Sequence, residues 1–184
     1  MLESGPGPAG TAPQLPGRSP PDRRGGALDL LIVGTLGLAL GVLVYLTDRP
    51  PGHASALPAI AWLSERHLFG ALGLWLPSFV HPFGFSLLTA AALQRRAKPR
   101  YDACIAWGAI NVAFELGQHP QIKDALAAAL REALAGTPLA RPLSNYFLRG
   151  TFDPGDLVAV VLGCLAAALV LRLRLTTPET EHEP

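Results

Sequence analysis

The run NVAFELGQHP, residues 111–120, sets Asn111, Glu115, Gln118 and His119 at spacings of i, i+4, i+7 and i+8. A helix carrying them presents all four on one face. A carboxylate backed by amides and an imidazole can hold and relay a proton, which is the raw material of general acid/base chemistry. Four more polar groups bear on the same chemistry: His81, Arg149, Asp153 and Asp156. The expected acid/base set is Glu115, Asp156 and His81. Asn111, Gln118, His119, Arg149 and Asp153 are expected to line a ligand pocket around it, with Gln118 and Asn111 orienting Glu115. Arg149 would hold either an anionic group or the Glu115 carboxylate itself, since guanidinium and carboxylate can pair through two parallel hydrogen bonds.

Other chemistries find less support. Glu115 and His119 stand four apart, and His81 and Asp156 could complete a metal-ligand set, but no HExxH is present and the spacing alone specifies nothing; no metal and no cofactor is expected. Ser78, Ser86 and Ser144 have no nucleophile signature around them, and no glycine-rich phosphate loop exists. A plainer reading of the polar groups stays open: Glu115, Gln118, Arg149 and Asp156 could tie two helices together and do nothing else.

What must position these groups is a membrane-like chain. Of 184 residues, 49% are hydrophobic and 16% charged, against about 25% charged in soluble domains. The net charge of +1 offers no basic field for nucleic acid, and no basic run is interleaved with aromatics, so nucleic-acid binding is not expected. Arginine greatly outnumbers lysine and Ala, Gly and Pro abound, a bias typical of a GC-rich bacterial genome. Cys104 and Cys164 lie in apolar runs without metal-ligand spacing and read as small packing residues.

Residues 1–26 are rich in proline and glycine, cannot bury enough surface to order themselves, and lack the pattern of a signal peptide; they read as a disordered tail. Residues 27–174 form the expected domain, with 175–184 a second disordered tail. Four transmembrane helices are expected. The first is Ala27 to Leu46, with Asp29 capping its first turn and Gly34, Gly37 and Gly41 offering a small-residue packing face. The second runs from about Leu76 or Pro77 to Leu93, the third from Tyr101 to Gln118, and the fourth from Asp156 to Leu173. Between the first two, residues 56–79 mix apolar residues with Ser64, Glu65, Arg66 and His67, and read as interfacial, re-entrant or a distorted span. From Pro120 to Ala135, Ile122, Leu126, Leu130 and Leu134 recur at helical period, giving one amphipathic helix too polar to span. The segment from there to Asp156 reads as a linker. The fold class is therefore all-α, four transmembrane helices plus an interfacial segment and an amphipathic helix.

Positive charge gathers in three places: Arg23 and Arg24, then Arg95, Arg96, Lys98 and Arg100, then Arg172 and Arg174. All fit one side of the membrane, which the positive-inside rule makes cytoplasmic, with both termini there. Glu115, His81, Asp153 and Asp156 then share the outer level. A carboxylate at that depth costs several kcal/mol, on the order of 3, unless it is paired, hydrated or protonated, so it should face a cavity or a partner.

Phe85, Leu87 and Leu88 on the second helix, Glu115 and Gln118 at the end of the third, then Arg149, then Asp156 with Gly163 seven residues on, occur in the order seen in the VanZ-like family of bacterial membrane proteins, which residues 77–172 resemble. Two features depart from that pattern. Val160 stands four residues after Asp156, where members often carry asparagine, and about thirty residues separate Gln118 from Arg149, where members usually have a short loop. The resemblance implies a four-helix envelope protein of the bacterial inner membrane, some of whose relatives are linked to glycopeptide resistance. It supplies no reaction. The functional expectation is an outward-facing polar pocket that binds or modifies a lipid or a lipid-linked envelope precursor. The alternative is a non-enzymatic subunit or assembly factor that works through a membrane-protein partner or a homodimer.

Overall fold

The computed structural model describes residues 23–48, 67–93 and 100–176; the side chains of 23–25 and 175–176 are not included. These residues form six helices and no strand: α1 (Arg23–Asp48), α2 (Leu72–Ala92), α3 (Tyr101–Gly117), α4 (Lys123–Ala133), α5 (Ala140–Arg149) and α6 (Pro154–Thr176). The described residues are thus all-helical, as expected.

Two of the helices are long and apolar enough to cross a membrane by length and composition: Gly26–Asp48 in α1 and Pro154–Arg174 in α6, each with mean hydropathy 2.3. At 1.5 Å per residue they extend about 30 Å or slightly more, the thickness of a hydrocarbon core. Of the four expected spans, α2 and α3 do not pass on these grounds. α3 has 17 residues, a few short of a full crossing. α2 has 21 and no charged residue, but Pro77, His81 and Pro82 lower its hydropathy.

α2 is the central helix, with α1, α3 and α6 against it. It begins at Leu72, earlier than the proline pattern suggested, so Pro77 lies inside the helix instead of breaking the segment. Proline there removes one backbone donor and crowds the carbonyl four residues back; that residue is Gly73, which adds no side chain to the crowding. Of the uncertain segment 56–79, residues 56–66 lie outside the described residues, 67–71 form a turn and 72–79 belong to α2. The turn is held to α1 by Asp48 and Thr47: Phe69 N donates to Asp48 Oδ2 at 3.0 Å and His67 N to Thr47 O at 3.1 Å.

The glycine face of α1 packs on α2. A Cβ at Gly34 would meet the Gly84 carbonyl oxygen at 3.0 Å, and one at Gly41 would meet Val80 at 2.7 Å. On the other side of α2, a Cβ at Gly163 of α6 would strike the Phe79 carbonyl oxygen. The apolar core collects where α1 and α3 begin and α2 and α6 end: Leu30, Leu87, Ala90, Ala91, Cys104, Ala167 and Leu171. Arg174 pairs with Asp29 at this same end, so Asp29 joins α1 to α6 and is not a first-turn cap. The reason is that α1 starts at Arg23, about two turns before Asp29's expected position would need. Once a helix is nucleated, each added residue fixes one more hydrogen bond at little cost, so residues 23–26, expected in the tail, join α1. Residues 1–22 and 177–184 lie outside the described residues.

The outward faces are apolar. Leu36 is 64% exposed, Ile105 73% and Leu165 61%, with similar neighbours along α1, α3 and α6. So much large apolar surface turned outward is a mark of contact with lipid or protein.

α4 and α5 form an antiparallel cover over the end of α3. Ala127 and Phe147 are buried between them, and Arg131 Nε donates to the fully buried Ser144 Oγ at 3.1 Å. α4 is the expected amphipathic helix, though its buried face runs through Leu126, Ala127, Leu130 and Leu134 and leaves Ile122 46% exposed. α5 replaces the expected linker. Its Pro142 sits in the first turn, where no intrahelical donor is needed, and Leu143 and Phe147, four apart, face inward.

Candidate functional site

The polar groups gather at the end opposite the apolar core, where α1 and α3 finish and α2 and α6 begin. Asp153 is the hub. It immediately precedes α6, followed by Pro154 at the first helical position, and its Oδ1 accepts the Gly155 N–H at 2.8 Å. That is N-cap geometry with the favoured proline behind it. Its Oδ2 accepts Trp75 Nε1 from α2 at 3.1 Å. Its own N–H donates to Glu115 Oε1 from α3 at 2.8 Å.

Glu115 therefore does from a neighbouring helix what a capping-box glutamate does from the third position of its own: it satisfies the backbone N–H of the N-cap residue. It is 8% exposed. The carboxylates of Asp153 and Asp156 are within electrostatic reach of it, and both acids stand at the start of α6, where the helix dipole favours negative charge.

Gln118 completes the junction. It is 9% exposed, and its Nε2 donates to the Tyr146 hydroxyl at 3.1 Å. The backbone of Gly150 lies directly against its amide, leaving no room for a Cβ. Tyr146 is 48% exposed, yet its hydroxyl end lies among Gln118, Tyr45, Glu115 and Asp156; burial of that end, with the neighbouring acids and Tyr45, pushes its phenol pKa above the ordinary 10.0, against a small opposite pull from Gln118. Phe114 and Phe147 pack around the same ring at centroid distances of 5.5 and 5.2 Å.

The structure thus brings together Glu115, Gln118, Asp153 and Asp156 of the expected site residues, and leaves four others apart. Arg149 closes α5, is exposed and makes no ion pair with Glu115, whose Oε1 accepts the Asp153 N–H instead. Asn111 donates to the Trp107 carbonyl of its own helix at 2.8 Å, so it does not orient Glu115. His119 accepts the Gln121 N–H at 3.3 Å through Nδ1 and meets Phe152 edge-on at 5.0 Å. His81 stands in an aromatic column with Tyr45 at 6.4 Å and Phe85 at 6.2 Å, which continues to Trp107.

Trp75 and Tyr146 belong to this polar junction, and the sequence reading did not assign them. Tyr146 lies on α5, where the sequence pattern reads as a linker and gives no sign of the residue's place. The Asp-Pro pair at 153–154, by contrast, is a helix-start signal visible in the sequence. Among the described residues, no three His, Cys, Asp or Glu side chains converge in a way that could hold a metal ion. Cys104 and Cys164 are free thiols packed between α3 and α6.

Truncating the hub should be felt at once: Asp153→Ala is expected to cost about 1–2 kcal/mol, since it removes the cap of α6 and the acceptor of the Trp75 indole. Asp153→Asn should recover most of that loss. Thermal unfolding in detergent, followed by Trp fluorescence, measures both; equal stability of the Ala variant and wild type would contradict the capping role.

No protein-family model, curated protein or solved structure matches this chain.

Proposed function

We propose that this is a multi-pass protein of the bacterial inner membrane, with four spans (α1, α2, α3 and α6), both termini cytoplasmic, and the α4–α5 cover outside. The outward apolar faces of α1, α3 and α6 support the embedding. The shared end of Arg100, Arg172 and Arg174, opposite the three acids, supports the orientation. In this reading α2, enclosed by the other three, needs less hydropathy than a lipid-facing helix, and α3 crosses in 17 residues because the α4–α5 cover begins at its end.

Its function, on this proposal, is to bind or modify a lipid or lipid-linked envelope component at the outer polar cluster. The carrying observation is the Glu115 carboxylate, 8% exposed, on the Asp153 N–H at 2.8 Å, with Asp153 and Asp156 within its electrostatic reach at the end of the bundle that α4 and α5 cover. Such a cluster attracts donors: hydroxyls, amines or the sugar face of a lipid-linked precursor. Glu115 is the proton acceptor, Gln118 and Tyr146 shape the wall, and Asp156 adds negative charge. The VanZ-like order of Glu115, Gln118, Arg149, Asp156 and Gly163 is what directs the proposal to the envelope.

A second reading has its own observation. The Glu115 to Asp153 bond joins α3 to α6, so the cluster can be a helix lock in a non-enzymatic subunit or assembly factor. The test is native mass spectrometry of protein extracted with its own membrane lipids, wild type beside Glu115→Gln. The pocket reading expects a specific envelope lipid on wild type that is lost from the variant. Identical lipid profiles with a persistent partner protein would replace it with the subunit reading.

A further inference from the structure

α4 and α5 are built as one unit. Ala127 and Ser144 are 1% and 0% exposed, and Arg131 Nε of α4 donates to Ser144 Oγ, which donates in turn to the Arg141 carbonyl of α5. The apolar core of the bundle draws on α1, α2, α3 and α6 and takes no residue from this pair. The pair therefore carries its own packing wherever it lies.

Two short joints connect it to the bundle. Residues 118–122 turn the chain from α3 into α4, and residues 150–153 lead from α5 into α6. A glycine stands at each joint. A Cβ at Gly117 would meet Phe147 at 2.6 Å and Leu126 at 2.9 Å, and one at Gly150 would overlap the Gln118 amide. The backbone at Gly150 is extended, φ −67° and ψ 153°, which any residue adopts, so it is the close seating that asks for glycine there.

What fastens the pair to α3 is light. Phe114 of α3 meets the rings of Tyr146 and Phe147, each at 5.5 Å, and Gln118 Nε2 donates to the Tyr146 hydroxyl at 3.1 Å. Among the described residues, no backbone–backbone hydrogen bond crosses from α4 or α5 to the four bundle helices. Lifting the pair off α3 separates ring faces and breaks one side-chain hydrogen bond, while both helices keep their own ladders. In the seated position Glu115 and Gln118 are 8% and 9% exposed, with Tyr146 against both and Gly150 on the Gln118 amide. A lipid-linked group does not reach a carboxylate enclosed in this way.

We propose that α4–α5 is a hinged lid, which turns as one body about residues 118–122 and 150–153 and, on release of the Gln118–Tyr146 bond, opens Glu115 to its ligand. Hinges of this kind are a few loop or helix-end residues that absorb the change in φ and ψ. The lid's part in ligand entry rests on the pocket reading above.

The test labels the carboxyl groups of the full chain, purified in mild detergent, with a water-soluble carbodiimide and glycine ethyl ester, and reads each site by peptide mass spectrometry. Asp124 and Glu132, exposed on α4, are the internal references. Tyr146→Phe removes the fastening bond and is expected to speed labelling of Glu115 about fivefold against those references, the equilibrium factor of one net hydrogen bond. Gly150→Ala should speed it at least as much, because its Cβ drives the Gln118 amide away from Tyr146. Hydrogen exchange of the α4 and α5 amides should stay as slow in both variants as in wild type. If Gly150→Ala fails to fold, Phe147→Leu, which loosens the ring seat, takes its place. Glu115 labelling that is unchanged in both variants, or faster in only one of them, overturns the proposal. Amides of α4 and α5 that quicken in step with Glu115 also overturn it, since the cover then melts and does not hinge. These measurements need no ligand, so failure of the lid leaves the lipid comparison of wild type and Glu115→Gln standing, and identical lipid profiles leave the motion standing.

Discussion

Gly163→Ala is expected to destabilise the bundle by about 3 kcal/mol, the upper part of the range for overpacking a close-packed contact. A Cβ at this position would strike the Phe79 carbonyl oxygen of α2 and meet Pro82 at 3.1 Å. Neither obstacle can rotate aside: one is backbone within a helix, the other a ring fixed to it. α6 would have to move off α2 along its length, and the cap at Asp153 would move with it. Gly37→Ala is the control, because its Cβ would meet only the edge of the Phe83 ring at 3.0 Å, and a side chain can give way. Thermal unfolding of the two variants in the same detergent should separate them clearly. Equal melting temperatures would mean that α2 and α6 are not packed as closely as described.

Glu115 offers the second large effect, and here a pair of variants separates two roles. Glu115→Ala leaves the half-buried Asp153 N–H without its acceptor, which costs about 1–3 kcal/mol. It also frees α3 from the start of α6. Glu115→Gln keeps an acceptor oxygen in the same place and removes only the charge, so it should retain most of the stability. Activity or ligand retention then tells the roles apart. If the carboxylate works as a proton acceptor, Glu115→Gln is stable and functionally dead; if it only locks helices, Glu115→Gln is stable and functional. Unfolding curves of the purified variants, set beside lipid retention, read both quantities. A Glu115→Ala variant as stable as wild type would sink the lock.

The polar end and the apolar end place different demands on the same helices. At one end, buried polar groups need partners, and backbone N–H groups, the Trp75 indole and the Tyr146 hydroxyl supply them to Glu115, Asp153 and Gln118. At the other, the core is apolar and the α3–α6 seam stays open. Cys164 and Gly108 mark a close approach in that seam: a Cβ at Gly108 would meet Cys164 Sγ at 2.8 Å.

The sequence by itself determined the elements whose signal is local. Unbroken apolar runs mark α1 and α6, the helical period of Leu126, Leu130 and Leu134 marks α4, and the one-face spacing of Glu115 and Gln118 marks the polar end of α3. These follow from 3.6-residue periodicity and from the cost of an exposed apolar run in water, both of which act along a few turns of chain. What the tertiary structure alone decided is which of the face's groups meet, because that depends on where other helices begin. Asn111 shares the spacing of Glu115 but turns back to its own Trp107 carbonyl; Arg149 has the right charge but lies exposed; and Asp153, eligible as a ligand by type, is occupied in capping α6. α5 escaped the sequence reading because ten residues with a proline in the first turn carry too little periodicity to stand out, and packing against α4 and Gly117 is what makes them a helix. Residue types and spacing specify which groups are available for chemistry, while burial and the need to satisfy every backbone donor at a helix junction select the ones that are used.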